Sequence, residues 1–199
     1  MNALGILTSV LASMSLMLTS SILIHGKRSK NELFYALIVI FASVWAFGHA
    51  FISNNLILPF IFFKFIAIVI YVAFDLAFLS FFWFTIYYPV RMIKSLTLPL
   101  IKTVIHVLML LTITLWPSLI FRSLQVSGPL SERFAFREPH YVYAVYAIFV
   151  ISAYCSGEFI LIRNYRNFQG YFNHNFRSIL IAGTFLVGLV GLVGNLILP

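Results

Sequence analysis

An all-α integral membrane bundle is the fold class this sequence predicts, and three observations predict it. The composition is 62% hydrophobic and the mean hydropathy is +1.02, values that are stable where the solvent is a bilayer. Of the 18 charged residues (13 Lys and Arg plus 5 Asp and Glu), 15 fall in four clusters, Lys27 to Glu32, Arg91 to Lys102, Arg122 to Glu138 and Arg163 to Arg177. Between the clusters lie apolar runs at roughly 3–25, 31–53, 59–88, 101–121, 141–162 and 179–198, each able to supply the about 20 residues that one crossing needs. Six such runs fill the 199 residues, leaving no room for a soluble domain of ordinary size. The chain therefore reads as a single transmembrane domain, 1–199.

The first run lacks the positive start of a cleaved signal peptide and is followed by Lys27, Arg28 and Lys30, so a retained helix with its N-terminus outside is expected. The third, at about 30 residues, is longer than one crossing and should tilt or protrude. Two short re-entrant pieces are a weaker reading there, because neither Gly nor a charge run interrupts Phe60 to Tyr88. The connections 26–31, 89–102 and 163–178 hold nine Lys and Arg, which places them in the cytoplasm. Tyr87 and Tyr88 then mark the inner border, and Trp116, Tyr141, Tyr143 and Tyr146 the outer one. Pro59, Pro89, Pro99 and Pro139 fall at borders, whereas Pro117 lies in the last turn of the fourth run and should kink it. The connection 122–140 is the one long external loop, placed to cap an outward-facing cavity. No internal repeat is evident, which weakens a transporter built from inverted halves.

A pI near 9.8 would suggest nucleic acid in a soluble protein, but here the basic residues flank apolar runs, where they set topology or meet lipid headgroups. Cys155 is the single cysteine, so there is no intrachain disulfide and no paired-thiol metal site; it reads as a small core residue. No phosphate loop, zinc-protease helix, nucleophile elbow or Ser/His/Asp set is discernible. Neither catalysis nor a metal is expected of this chain.

Function is then expected from the polar groups inside the apolar runs. Asp75 is near the middle of the third run, among Phe74, Phe78 and Phe82. A carboxyl at that depth costs several kcal/mol and must face the bundle interior, either as part of a polar ligand pocket or as a structural group bonded to another helix's hydroxyl. Lys64, eleven residues earlier, shares its helix face at about 16 Å along the axis, too far to pair. Tyr71 is one turn before Asp75 on that wall and can donate a hydrogen bond to it. His49 in the second run, with Trp45 one turn before it, is expected at the level of Lys64, lining an outer mouth; a satisfied core histidine is the bland alternative. Glu158 in the fifth run and His106 in the fourth each lie about 8 Å to the cytoplasmic side of their run's midpoint. If those helices are neighbours, the two form a candidate proton-coupled switch with Tyr154 one turn above Glu158; otherwise both simply reach interfacial water. A bis-histidine haem needs two imidazoles at one depth, and His49 and His106 are placed in opposite leaflets, so no cofactor is expected. In the sixth run Gly183, Gly188, Gly191 and Gly194 permit close helix approach, with Asn195 as interhelical glue.

One set of segments is similar to a known family. Asn31 to Tyr35 leading through Trp45-Ala-Phe-Gly48, Phe63 to Tyr71, and Phe82 to Pro89 ending in Tyr87-Tyr88-Pro89 resemble the N-terminal seven-helix sensor region of bacterial membrane histidine kinases and diguanylate cyclases. Gly157 to Arg163, the basic connection to Arg177, Ile179 to Gly183 and the ending Gly194 to Pro199 are similar to that region's fifth and sixth helices. The resemblance implies a receptor in the bacterial inner membrane with an extracellular N-terminus, seven helices and a cytoplasmic, dimeric signalling module of a two-component or related system. It supplies no binding motif. Six runs beginning outside also end outside, so such a module would need a seventh crossing, and the chain is expected to be part of a longer one.

Together these features predict a membrane sensor that takes a small apolar or amphipathic signal between its helices, against Asp75, Lys64, Tyr71, His49 and Trp45, with the bilayer and a cytoplasmic output module as partners. A proton-coupled transporter using Asp75 and Glu158, or a helper subunit of a membrane complex, are the rival readings. A retinal-type photoreceptor is disfavoured, because no lysine lies in the middle of the last run.

Overall fold

A computed structural model describes residues 10, 12–17, 19–21, 24, 29–53, 60–88, 95–115, 141–167, 182–185 and 188. Four long helices dominate: α1 (Lys30–Ser53), α2 (Phe60–Tyr87), α3 (Thr97–Leu115) and α4 (Tyr141–Asn167). No strand occurs among the described residues, and each of the four helices contains a stretch long and apolar enough to cross a membrane. The molecule is an all-α membrane bundle. The loop 122–140, Trp116, Pro117 and the Gly191, Gly194 and Asn195 positions lie outside the described residues.

Local chemistry sets the helix starts. At α1 the Ser29 hydroxyl accepts from Glu32 N–H at 3.3 Å while the Glu32 carboxylate accepts from Ser29 N–H at 3.0 Å, a reciprocal capping box that satisfies two otherwise orphaned donors. α3 starts four residues ahead of its apolar run: Leu100 N–H donates to Leu96 O at 2.9 Å and Ser95 Oγ accepts from Thr97 N–H at 3.4 Å. Pro99 sits in the first turn, where its missing N–H costs nothing.

α2 is one unbroken helix and the centre of the bundle, packing against α1, α4 and α3. Of its spanning stretch 56% is buried, against 17% for α1, 39% for α4 and 22% for α3. Its contact with α1 is close. Gly48 lies against the Ile70 side chain, and the Phe34 ring lies near-parallel to both Trp83 and Tyr87 at centroid distances of 5.8 and 5.7 Å. The ammonium of Lys30 lies 5.2 Å above the Tyr87 ring. On its other face, α1 buries Ala36, Ser43 and Ala50 at seven-residue spacing, and Ser43 donates to Ala12 O at 3.4 Å, so small side chains seat the 12–17 stretch.

α4 docks on α2 just as intimately. Gly157 leaves room for the Phe81 ring, whose Cε1 would lie 2.8 Å from an added Cβ. Asn164 donates from Nδ2 to Thr85 O at 3.1 Å and Tyr88 O at 2.7 Å, supplying partners to carbonyls at the end of α2 that the helix itself leaves open.

Apolar side chains point outward where a bilayer would receive them. On α3 these include Leu98, Ile101, Val104, Leu108, Leu111 and Leu115. Cys155, expected in the core, is exposed. The buried positions of α4 are Tyr146, Val150, Ala153, Tyr154, Gly157, Glu158, Leu161 and Asn164, and 3.6-residue periodicity turns Cys155 to the opposite side with Ile148, Ile151 and Phe159.

Gly157→Val is expected to force Phe81 off its seat and cost about 1–3 kcal/mol, read as a lower midpoint in unfolding of the detergent-solubilised protein. An unchanged midpoint would show that the close α2–α4 approach is not required.

A candidate functional site around an acid–imidazole pair

Asp75, on the central helix α2, is fully buried. Its carboxyl meets His106 of α3, with Nδ1 at 3.0 Å from Oδ1 and 3.2 Å from Oδ2, and both side chains are 0% exposed. Two titratable groups that would each be costly alone in an apolar bundle thus satisfy one another. The imidazole is held from the far side by Phe149 of α4, T-shaped at 5.8 Å. Its Nε2 is buried and has no hydrogen-bond partner among the described residues.

Above this pair is an aromatic layer. Tyr71, Phe74, Leu110, Ile113, Tyr146 and Val150 form one buried cluster with Trp45 packed against it. Tyr146 donates to Tyr71 O at 3.0 Å, the carbonyl one helical turn before Asp75, so α4 grips the backbone of the turn that carries the carboxyl.

Below the pair, polar contacts tie α3 to its neighbours. Trp83 Nε1 donates to Thr103 Oγ1 at 2.8 Å, joining α2 to α3. Lys102, one turn before His106, is half-buried. Its Nζ donates to Ser152 O at 2.7 Å and Ser156 Oγ at 2.8 Å of α4 and lies 4.9 Å over the Phe82 ring. Apart from these side-chain links the backbones of α3 and α4 hardly approach.

The expected groupings are partly redrawn. Asp75 does face the interior, bonded to an imidazole in place of a hydroxyl, and Tyr71, one turn before it, offers its backbone carbonyl to Tyr146. Trp45 and Tyr71 share the aromatic layer, with His49 edge-on to Trp45 at 5.1 Å but exposed. The backbone of Lys64 is helical within α2; its side chain lies outside the described residues.

The expected Glu158–His106 pair is not formed. α3 docks on the side of α4 that carries Phe149, Ser152 and Ser156, whereas Glu158, two residues and about 200° beyond Ser156, faces another way. There it sits with Tyr154, whose hydroxyl donates to Phe185 O at 3.0 Å. Both Glu158 carboxyl oxygens are buried without a well-formed hydrogen bond among the described residues, with Thr184 alongside.

Two residues of this site are not legible as such in the sequence. A fourth run starting at 101 puts His106 too near the membrane border; the observed start at Thr97 moves it about 6 Å deeper, toward the level of Asp75. Lys102 reads as one of the cytoplasmic anchors. The available signal is its position four residues before a buried histidine, opposite a serine pair also four apart.

No protein-family model, no curated protein and no solved structure matches the chain. The class of protein defined by the structure is therefore a helical membrane bundle with a buried acid–imidazole pair at its centre.

Asp75→Leu or His106→Leu alone is expected to destabilise the protein by about 3–5 kcal/mol, because the remaining partner is left buried and unpaired, while the double substitution recovers most of the loss. A double-mutant cycle from unfolding in mixed micelles checks this; additive losses would mean the two groups do not interact.

Proposed function

We propose that this chain is a membrane sensor domain in which displacement of α3 reports the binding of a small amphipathic signal. The observation that carries the reading is the way α3 is held. Only Pro99, His106, Leu110 and Ile113 are buried along it, so its apolar packing is slight, and its place on α2 rests on the Asp75–His106 pair and a few flanking polar bonds. The flanking interhelical hydrogen bonds contribute on average about 0.6 kcal/mol each in a membrane, so α3 can shift while the costlier Asp75–His106 contact holds. A ligand with comparable differential affinity is enough to shift such an equilibrium.

The resemblance to seven-helix sensor regions supports this reading and supplies its topology: an N-terminus outside, basic connections in a bacterial cytoplasm, and a histidine kinase or diguanylate cyclase as output. Small differential contacts at α3 would be passed inward as a change in helix packing.

A proton-coupled transporter is the second reading, favoured by Glu158, a buried carboxyl on a different interface from Asp75. Substrate flux into proteoliposomes driven by a proton gradient would decide for it.

The sensor reading is tested with spin labels at Leu111 on α3 and Val44 on α1, both exposed, in a Cys155→Ser background. Asp75→Asn is expected to shift or broaden the distance distribution by several Å, and an activating amphiphile to do the same in the unsubstituted pair. Identical distributions in all states, across a panel of amphiphiles, would overturn the proposal.

A further inference from the structure

Two polar groups of α3 lie one turn apart on the same face, and both meet α4. His106 Nε2 is buried without a hydrogen-bond partner among the described residues. The Lys102 ammonium is bound by a carbonyl, a hydroxyl and a ring face. No carboxylate of the described residues lies within ion-pair distance of it, the one such pair being Asp75 with His106. A half-buried cation in an apolar bundle is a strong recruiter of an anion. The two groups are i and i+4, so their Cβ atoms are about 6 Å apart on one face of α3, and a carboxyl group has two oxygens to offer them.

The residues around the two groups suit the rest of such a molecule. The Ser156 hydroxyl oxygen already accepts from Lys102, and the Ser152 hydroxyl donates to Phe149 O at 2.9 Å beside it. Between the two groups along the chain, α3 carries Ile105, which is 38% exposed, and α4 carries Val145, which is 45% exposed and one turn before Phe149. An alkyl chain laid there would remain in contact with the bilayer it came from.

We infer that Lys102 and His106 together form a binding site for the head of a monocarboxylic amphiphile, a fatty-acid-like molecule whose chain lies along α3 and α4. A carboxyl group meets the imidazole in either protonation state: the acid donates to a bare Nε2, and the carboxylate accepts from Nε2–H. Lys102 supplies the charge, and the Asp75–His106 pair holds the ring in place. This deepens the sensor reading by naming the chemical class of the signal, and rests on it for the use made of binding.

The test uses the full chain in phosphatidylcholine nanodiscs, titrated with carboxyl-labelled dodecanoic acid, with the carboxyl carbon and the ring nitrogens of labelled histidine observed by NMR. Saturable binding with a shift of the His106 Nε2 resonance is expected. Lys102→Gln and His106→Gln are each expected to weaken binding by about tenfold or more, a loss of about 1.4 kcal/mol, while Lys102→Arg, which keeps the charge, retains it. Methyl dodecanoate should not compete. Equal competition by the ester, an unshifted Nε2 at saturation, or undiminished binding to Lys102→Gln would overturn the site. Displacement by dioleoyl phosphatidic acid at equal mole fraction would overturn the carboxylate assignment in favour of a phosphate head. Should Lys102→Gln fail to fold, the acid-against-ester comparison and the Nε2 shift decide on the unsubstituted protein. Dodecanoate binding without movement of the labelled α3 would sink the sensor reading and leave the site standing; movement without dodecanoate binding would do the reverse.

Discussion

Without the contact between Asp75 and His106, α3 would have little reason to sit where it does. In a bilayer the lipid chains solvate Leu and Ile as well as a neighbouring helix does, so apolar side chains alone give weak preference for one helix arrangement over another. A carboxyl group is different, because leaving it unpaired in an apolar interior costs several kcal/mol. Asp75 is buried at the centre of the central helix, and His106 is the group that meets it. The requirement to satisfy that carboxyl fixes which residue of α3 faces α2, and with it the rotation of α3 about its own axis. That rotation then turns Lys102 toward α4 and leaves Val104 and Leu108 to the bilayer.

The rest of the bundle divides by how tightly it is held. α1 and α2 are joined by close approach at Gly48 and by stacked rings; α2 and α4 by Gly157 and by bonds from Tyr146 and Asn164 to backbone carbonyls of α2. Those contacts combine dispersion over large ring areas with directed hydrogen bonds. α3 has neither glycine seats nor ring stacks along its length; apart from Leu110 and Ile113 in the aromatic layer, it is held by polar side chains reaching across. A rigid three-helix frame with one polar-latched helix is an arrangement in which a small change in free energy moves one element and not the others.

α4 is the element through which such a change would be felt. One face of it receives Lys102 and His106 through Ser152, Ser156 and Phe149. Another grips α2 at the turn before Asp75. A third presents Tyr154 and Glu158 to the 182–185 stretch, where Tyr154 bonds the backbone and Gly188 lies against its ring. Contacts on all three sides make α4 a physical connection between the pair and the last part of the described chain.

The solvent and the helical elements are legible in the order of residues alone. Charge clusters separated by apolar runs specify a membrane bundle, because backbone groups in lipid can be satisfied only within helices or closed barrels. Ser29 and Glu32, at the spacing of a capping box, mark the start of α1. The sequence also required that Asp75 have a partner. Which partner it takes was decided only by the tertiary structure: hydropathy measures position along the membrane normal and is silent on azimuth and neighbour order. A difference of four residues in the start of α3 is enough to put His106 beside the wrong carboxyl. Lys102 reads as a surface anchor for the same reason, since nothing in a one-dimensional pattern says that a lysine near a border turns inward to two serines of a distant helix.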